Sequence, residues 1–429
     1  NSLNIKFVNG SSVFAGVDLE LFNHDMVLYA SPFYGGNDGV SGSNGFIDEE
    51  LTVAYEIYNG SSTTEDVDTT LKYHYGVRGK SIEIDMSSSH TETVDVPSFW
   101  TKGLVRNVDT DTDYYKIQHA IDNASAGDTL NVWAWTYYEA LEIDESINLI
   151  GNASSTTKII AGSGQYNSDL DSVINIDSDD VTLRNLMVIQ NSTDFSYGVK
   201  AYGDDIVISY SVIDFWTLGS GRVALHAAGG NFVISNNSIY EAEWCIHISG
   251  SGGNLVENNI IGRESSASDP SKCMFLLSDS DGNVIKNNTF TDSRYGISLA
   301  DSSNNVVSDN TIIKDLNFDK RGIRLDGSST NNQIINNTVS GYENGLECRS
   351  DSNYFSGNVF DDNLYGILFR QGSEYNKFEN NTIKNNEYYG VLIQDASKFN
   401  EFWNNTISSS DVYDFYVEDN SSGNFIVNT

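Results

Sequence analysis

The chain is 429 residues long, with a formal net charge of −36 and a pI near 4.2. That field repels phosphate backbones and anionic headgroups, which excludes nucleic acid as a partner. No run of about 18 apolar residues is present to insert into a membrane. Helix formers are thin while Asn, Ser, Asp, Gly, Ile, Val and Tyr dominate, so the chain reads all-β.

In chain order, residues 1–97 alternate apolar and polar in LNIKFV, VDLELF, LTVAYEIY, TLKYHYGV and SIEIDM. Period-two alternation predicts a β-sandwich domain there, Ig-like or jelly-roll-like. Residues 98–113 are the expected linker. Asp109, Asp111 and Asp113 alternate within it; they suit a calcium loop, or helix capping and solvation. Next, YYKIQHAIDNA places Ile117, Ala120, Ile121 and Ala124 on one helical face, with Asp113 as the expected N-cap. A short amphipathic helix would close the open end of a repeat array.

From about residue 180 the chain repeats. The unit is (G/N)N-x-hydrophobic-x-NN(T/S)-hydrophobic, as in GNFVISNNSI at 230–239, GNVIKNNTF at 282–290, NNQIINNTV at 331–339, YNKFENNTI at 375–383 and FNEFWNNTI at 399–407. A second half-unit recurs as YGISL, RGIRL, YGILF and YGVLI, beginning at 295, 321, 365 and 389. The second Asn of each pair marks Asn237, Asn259, Asn288, Asn310, Asn337, Asn358, Asn381 and Asn405, spaced 22, 29, 22, 27, 21, 23 and 24 residues apart. A fixed motif on an irregular period predicts a solenoid, in which strands and one turn stack while other turns bulge. Residues 114–429 are therefore expected to form the capping helix and a right-handed parallel β-helix of about eleven coils. The marker Asn side chains are expected to point inward and hydrogen-bond coil to coil, their preceding neighbours outward.

The segment IQHAIDNASAGDTLNVWAWTYYEALEIDESINLIG and the NNT/YGI coils resemble the pectin-lyase-like β-helix superfamily, especially its NosD-like and archaeal surface-repeat branch. The resemblance spans about 107–429 and implies fold more than function, because the superfamily holds lyases, hydrolases, adhesins and structural proteins. The polygalacturonase-like branch implies paired Asp with His-Gly and Arg-x-Lys companions; this chain has no HG and no RIK. Asp179–Asp180, Asp204–Asp205 and Asp361–Asp362 are read as turn residues. The nearest approach to lyase-like chemistry is Arg324, Asp326, Glu347, Arg349 and Arg370 on successive coils, readable as a glycan-binding stripe or as an ion-pair ladder. His226 and His247 fall in neighbouring coils without a third ligand placed by spacing, so copper is not supported residue by residue.

Cys245 and Cys273 occupy matching coil positions and would suit a disulfide or a buried thiol stack. Eleven Asn-x-Ser/Thr sequons, at Asn9, Asn59, Asn123, Asn152, Asn191, Asn236, Asn287, Asn336, Asn380, Asn404 and Asn420, are compatible with N-glycosylation. The opening at Asn1, without Met or leader, is what a mature secreted chain would show. At the other end SSGNFIVNT starts a coil with nothing after it to cover the rung, which invites pairing with another chain. The expectation is a non-enzymatic, glycosylated structural protein at the cell surface that self-associates head to tail into a filament or layer, with no cofactor beyond calcium. The alternative is a polysaccharide-binding or polysaccharide-degrading β-helix, or a glycan-binding adhesin.

Overall fold

The computed structural model describes every residue except 24–25, 32–37, 49, 54–55, 59–62, 66–68, 76–77, 97–103, 162–170, 192–193, 216–220, 251, 263–272 and 315–319. The chain divides into two compact units, Asn1–Ala120 and Ile121–Thr429.

In the first unit the alternating segments become strands with alternating burial. Ser2–Asn9 pairs parallel with His90–Asp95 and antiparallel with Ser12–Val13 and Leu51–Thr52, forming one four-stranded sheet. Met26–Ala30, Asp18–Asn23, Thr69–Tyr75 and Arg78–Glu83 form an antiparallel second. Leu3, Ile5, Phe7, Leu19, Leu21, Leu71 and Tyr73 are the inward positions and pack into a single core.

The expected linker is in part ordered structure. Residues 97–103 lie outside the described residues, but Val105–Asn107 and Thr112–Tyr114 form an antiparallel hairpin within the first unit. Asp113 is a strand residue there, so it does not cap the helix. It pairs with Arg106 at 3.1 Å, and Asp111 holds the same guanidinium. Arg106 thus satisfies two of the three alternating carboxylates across the hairpin. The helix is one turn, Ile117–Ile121, with Ile117, Ala120 and Ile121 buried and Ala124 beyond its end.

The second unit is a right-handed parallel β-helix. Each coil gives one strand to each of three parallel sheets: one runs from Thr129–Val132 to Phe425–Val427, a twelve-stranded one from Thr136–Tyr137 to Thr406–Ser408, and another twelve-stranded one from Leu141–Ile143 to Tyr413–Val417. Stacked Ile, Val, Leu and Phe fill the interior, including Phe355, Phe378 and Phe402, whose rings stack at 4.2 and 5.0 Å.

Two columns of buried amides run down this interior. Each ladder oxygen receives two donors from the previous coil: Asn337 Oδ1 accepts the backbone N–H of Asn310 at 3.0 Å and its Nδ2 at 2.9 Å. Asn337 Nδ2 in turn donates to the carbonyl of Val307 at 2.9 Å. The pattern holds from Asn237 to Asn405. A second column, Asn254, Asn283, Asn305, Asn332, Asn353, Asn376, Asn400 and Asn424, repeats it at another corner. The residue before each ladder Asn turns the corner with positive φ, as at Asn236, Asn287, Asn336, Asn380 and Asn404. Asn tolerates that left-handed conformation better than most residues.

These five residues are sequon asparagines, exposed as expected. Their sequons follow from coil geometry: a left-handed Asn, an inward ladder Asn, then a Thr or Ser opening the next strand. The acidic pairs behave similarly, since Asp180, Asp205 and Asp362 have positive φ. The glycine of YGI is required by close approach: a Cβ at Gly366 would lie 2.6 Å from the carbonyl oxygen of Gly390 in the next coil.

Candidate functional site

The third sheet carries the longest strands, and its outward positions align in register. One row descends through Lys200, His226, His247, Leu276, Ser298, Arg324, Glu347, Leu368 and Leu392. Trp244, Tyr295, Arg321, Tyr365 and Tyr389 stand beside it on the same strands.

At the N-terminal end, Lys200 bonds Asp171 at 3.0 Å and lies over the rings of Tyr197 and Tyr202. The tilted rings of His226 and His247 lie 5.0 Å apart, with Tyr197 beside the first and Trp244 edge-on to the second. Nε2 of each His meets a serine of the following coil at 2.9 Å, Ser249 and Ser278 respectively. Burial, then the Lys200 charge, lowers the His226 pKa, with Asp171 opposing; burial and then His226 push His247 down to about 4.

Both imidazoles are therefore neutral in the folded chain near neutral pH, whereas an unfolded His takes a proton near about 6.5. The unfolded state then binds more protons, so this contribution to stability is lost as pH falls from about 6.5 toward 4. His247→Gln is expected to flatten that part of the profile, read as the difference between variant and parent urea midpoints at pH 7 and about 4.5. Parallel profiles would refute the assignment.

In the middle, Glu243, Trp244, Met274, Leu276, Arg294, Tyr295, Ser298 and Arg324 line a shallow pocket of about 290 Å³. The guanidiniums of Arg294, Arg321 and Arg324 surround the Tyr295 ring at 5.6 to 5.9 Å. Beneath the pocket Cys245 and Cys273 are joined by a disulfide with Cα atoms 5.0 Å apart, tying together the residues next to Trp244 and Met274. Cys348 is buried and free, its thiol pushed up to about 12 by burial.

Toward the C-terminal end Arg321 joins three of the five stripe residues, Glu347, Arg349 and Arg370, while Arg324 and Asp326 form a separate pair. Glu347 is fully buried and bonds Arg349 at 2.6 and 2.9 Å, Arg321 of the preceding coil, and Arg370 of the next at 3.7 Å. Arg324 pairs with Asp326, and Arg370 also reaches Asp395 at 3.8 Å. Burial raises the Glu347 pKa, but Arg321 and the hydrogen bonds from Arg349 and Arg321 outweigh it and hold the carboxyl below the usual range. Five of the ten arginines in this acidic chain, Arg294, Arg321, Arg324, Arg349 and Arg370, lie on this part of one sheet. Arg321 stands in the RGIRL motif and was legible as its first outward residue; Trp244 and the pocket had no repeated signal to reveal them.

A three-sheet coil with two internal amide ladders and an aromatic, arginine-bearing outer face defines the class: a pectin-lyase-like right-handed parallel β-helix. The family model described as periplasmic copper-binding protein (NosD) matches residues 121–388 and, in a second overlapping match, 277–428, and the chain belongs to that family. No curated protein matches it. Among solved structures, a double mutant of the periplasmic alginate epimerase AlgG is similar at 13% identity and a TM-score of 0.51, over 73% of this chain and 83% of that one. The catalytic domain of a GH87 alpha-1,3-glucanase in complex with nigerose is similar at 14% identity and a TM-score of 0.51, over 100% of this chain and 88% of that one. At these identities the likeness is one of fold.

Among the described residues His226 and His247 are the donors nearest to a copper pair, and Nδ1 of His226 is buried without a hydrogen-bond partner. His226 and His247 each commit Nε2 to a serine, two cysteines are in a disulfide, and Cys348 is buried. Among the described residues no three His, Cys, Asp or Glu side chains are grouped to hold a metal ion. No described helix is long and apolar enough to cross a membrane.

Proposed function

We propose that the chain is a polysaccharide-binding β-helix protein that takes an extended glycan along the outward face of the third sheet. The observation that carries this reading is the pocket in which Trp244 and Tyr295 stand beside Arg294, Arg324, Glu243 and Ser298, continuous with the arginine cluster below. Aromatic faces pack on the apolar side of a pyranose ring, and planar charged groups bond its hydroxyls and carboxylates. Successive rungs about 4.8 Å apart offer such groups at intervals comparable to a sugar ring. The fold shared with an alginate epimerase and a glucanase supports this reading over the self-associating filament expected from the repeats. The Cys245–Cys273 disulfide supports a place outside the reducing cytoplasm.

The test is titration of the purified protein with a polyuronate and with a neutral α-glucan, following Trp fluorescence, with assay of the same mixtures for new reducing ends or unsaturated products. Binding of either polymer, weakened about tenfold by Trp244→Ala, is the expected result. Binding insensitive to Trp244→Ala would remove this face from consideration, and regular filaments with no glycan binding would restore the structural reading. Product formation lost in Asp326→Asn or Arg349→Ala would make the face an active site.

A further inference from the structure

Resting on that reading, we propose that Glu347 is a positioning residue that holds Arg321, Arg349 and Arg370 as a fixed fork for an oxoanion substituent of the glycan, a carboxylate or a sulfate ester. The argument starts from cost. Withdrawing a carboxylate from water carries a penalty of several kcal/mol, and well-packed apolar residues of similar size often serve stability as well or better. The same row shows that the solenoid accepts them: Leu276, Leu368 and Leu392 occupy the equivalent outward position on other coils. An ion cluster at this rung is therefore not a requirement of stacking.

What the cluster does provide is orientation. The three guanidiniums come from three successive strands, Arg321–Asp326, Asn344–Cys348 with the residue after it, and Tyr365–Phe369 with the residue after it. They converge on two oxygens: Oε2 takes Arg321, while Oε1 takes Arg349 and the more distant Arg370. Each guanidinium has five donors, so one carboxylate leaves most of them unused. The Arg321 and Arg349 side chains keep 16% of their surface exposed and Arg370 keeps 37%, whereas Glu347 keeps none. Asp395 approaches only Arg370, and Asp326 is occupied by Arg324. The fork thus keeps part of its surface open, Arg370 most of all, while the carboxylate that anchors it is closed to solvent.

The test separates positioning from simple charge. Removing one negative charge in Glu347→Gln makes the patch more positive, so a purely electrostatic patch would bind anions more tightly. Loss of the anchor instead lets three like charges disperse. The positioning role predicts that Glu347→Gln binds a polyuronate and a sulfated galactan about tenfold or more weakly, a clearly larger loss than for a neutral glucan. Unchanged or tighter anion binding would overturn the proposal. Glu347→Leu, the residue found on neighbouring rungs, is measured alongside so that a folding defect in one variant does not decide the matter; it should show the same selective loss. The two polymers distinguish carboxylate from sulfate ester as the ligand's source.

Inorganic sulfate, titrated into the full chain and followed by the shift in its melting temperature, keeps this proposal distinct from the one it rests on. Sulfate stabilisation of the parent that disappears in Glu347→Gln, without any polymer binding, leaves the fork standing and removes the polysaccharide. Polymer binding with identical sulfate response in parent and variant removes the fork alone.

Discussion

Asn337→Ala is expected to cost about 3–5 kcal/mol of stability, because it strands several buried groups at once. The backbone N–H and Nδ2 of Asn310 both lose their acceptor, and the carbonyl of Val307 loses its donor. Each unsatisfied group in an interior closed to water costs about 1–3 kcal/mol. Asn336→Ala, one residue earlier, places alanine in the left-handed region at an exposed corner and should cost only about 1 kcal/mol. Chemical denaturation of the two variants checks the contrast. Equal effects would mean that the ladder contributes no more than the turn.

Phe378→Ala should be of similar size, about 3–5 kcal/mol, for a different reason. Phe378 lies between Phe355 and Phe402 and meets the edge of Phe369 at 5.2 Å, so truncation opens a cavity that the three stacked coils cannot close. Phe378→Ile is the control, because Ile285 and Ile334 fill the same column on earlier coils. Isoleucine should recover much of the loss, and a crystal structure or xenon binding would report the remaining void. If alanine and isoleucine were equally destabilising, the stacking of the rings rather than filled volume would be the dominant effect.

The coils were legible because one requirement recurs on every rung. Asn288 must bond Asn310 for the same reason that Asn381 must bond Asn405, so the motif prints itself repeatedly in the sequence. The second amide column was present in the same motif as its leading (G/N)N, yet only the NN(T/S) asparagines were singled out. What happens once leaves no such trace. Trp244, Arg294 and Tyr295 converge only after two coils have stacked, and Glu347 becomes a hub only because Arg321 and Arg370 arrive from the rungs on either side. The helix cap was misread at Asp113 because an Asp before a helical stretch is as suited to pairing with Arg106 across a hairpin as to capping.

The amide ladders also govern what the coils can become. The bond from Asn259 to Asn288 spans 29 residues at 3.0 Å, and that from Asn337 to Asn358 spans 21 at 2.9 Å. Extra residues between two rungs are absorbed before the next amide locks, so the phase of the winding is reset once per turn and errors do not accumulate. A lineage built this way can lengthen or shorten a loop on one coil while every outer side chain farther along keeps its azimuth. Its binding surface can be edited one rung at a time, like type set in a fixed frame.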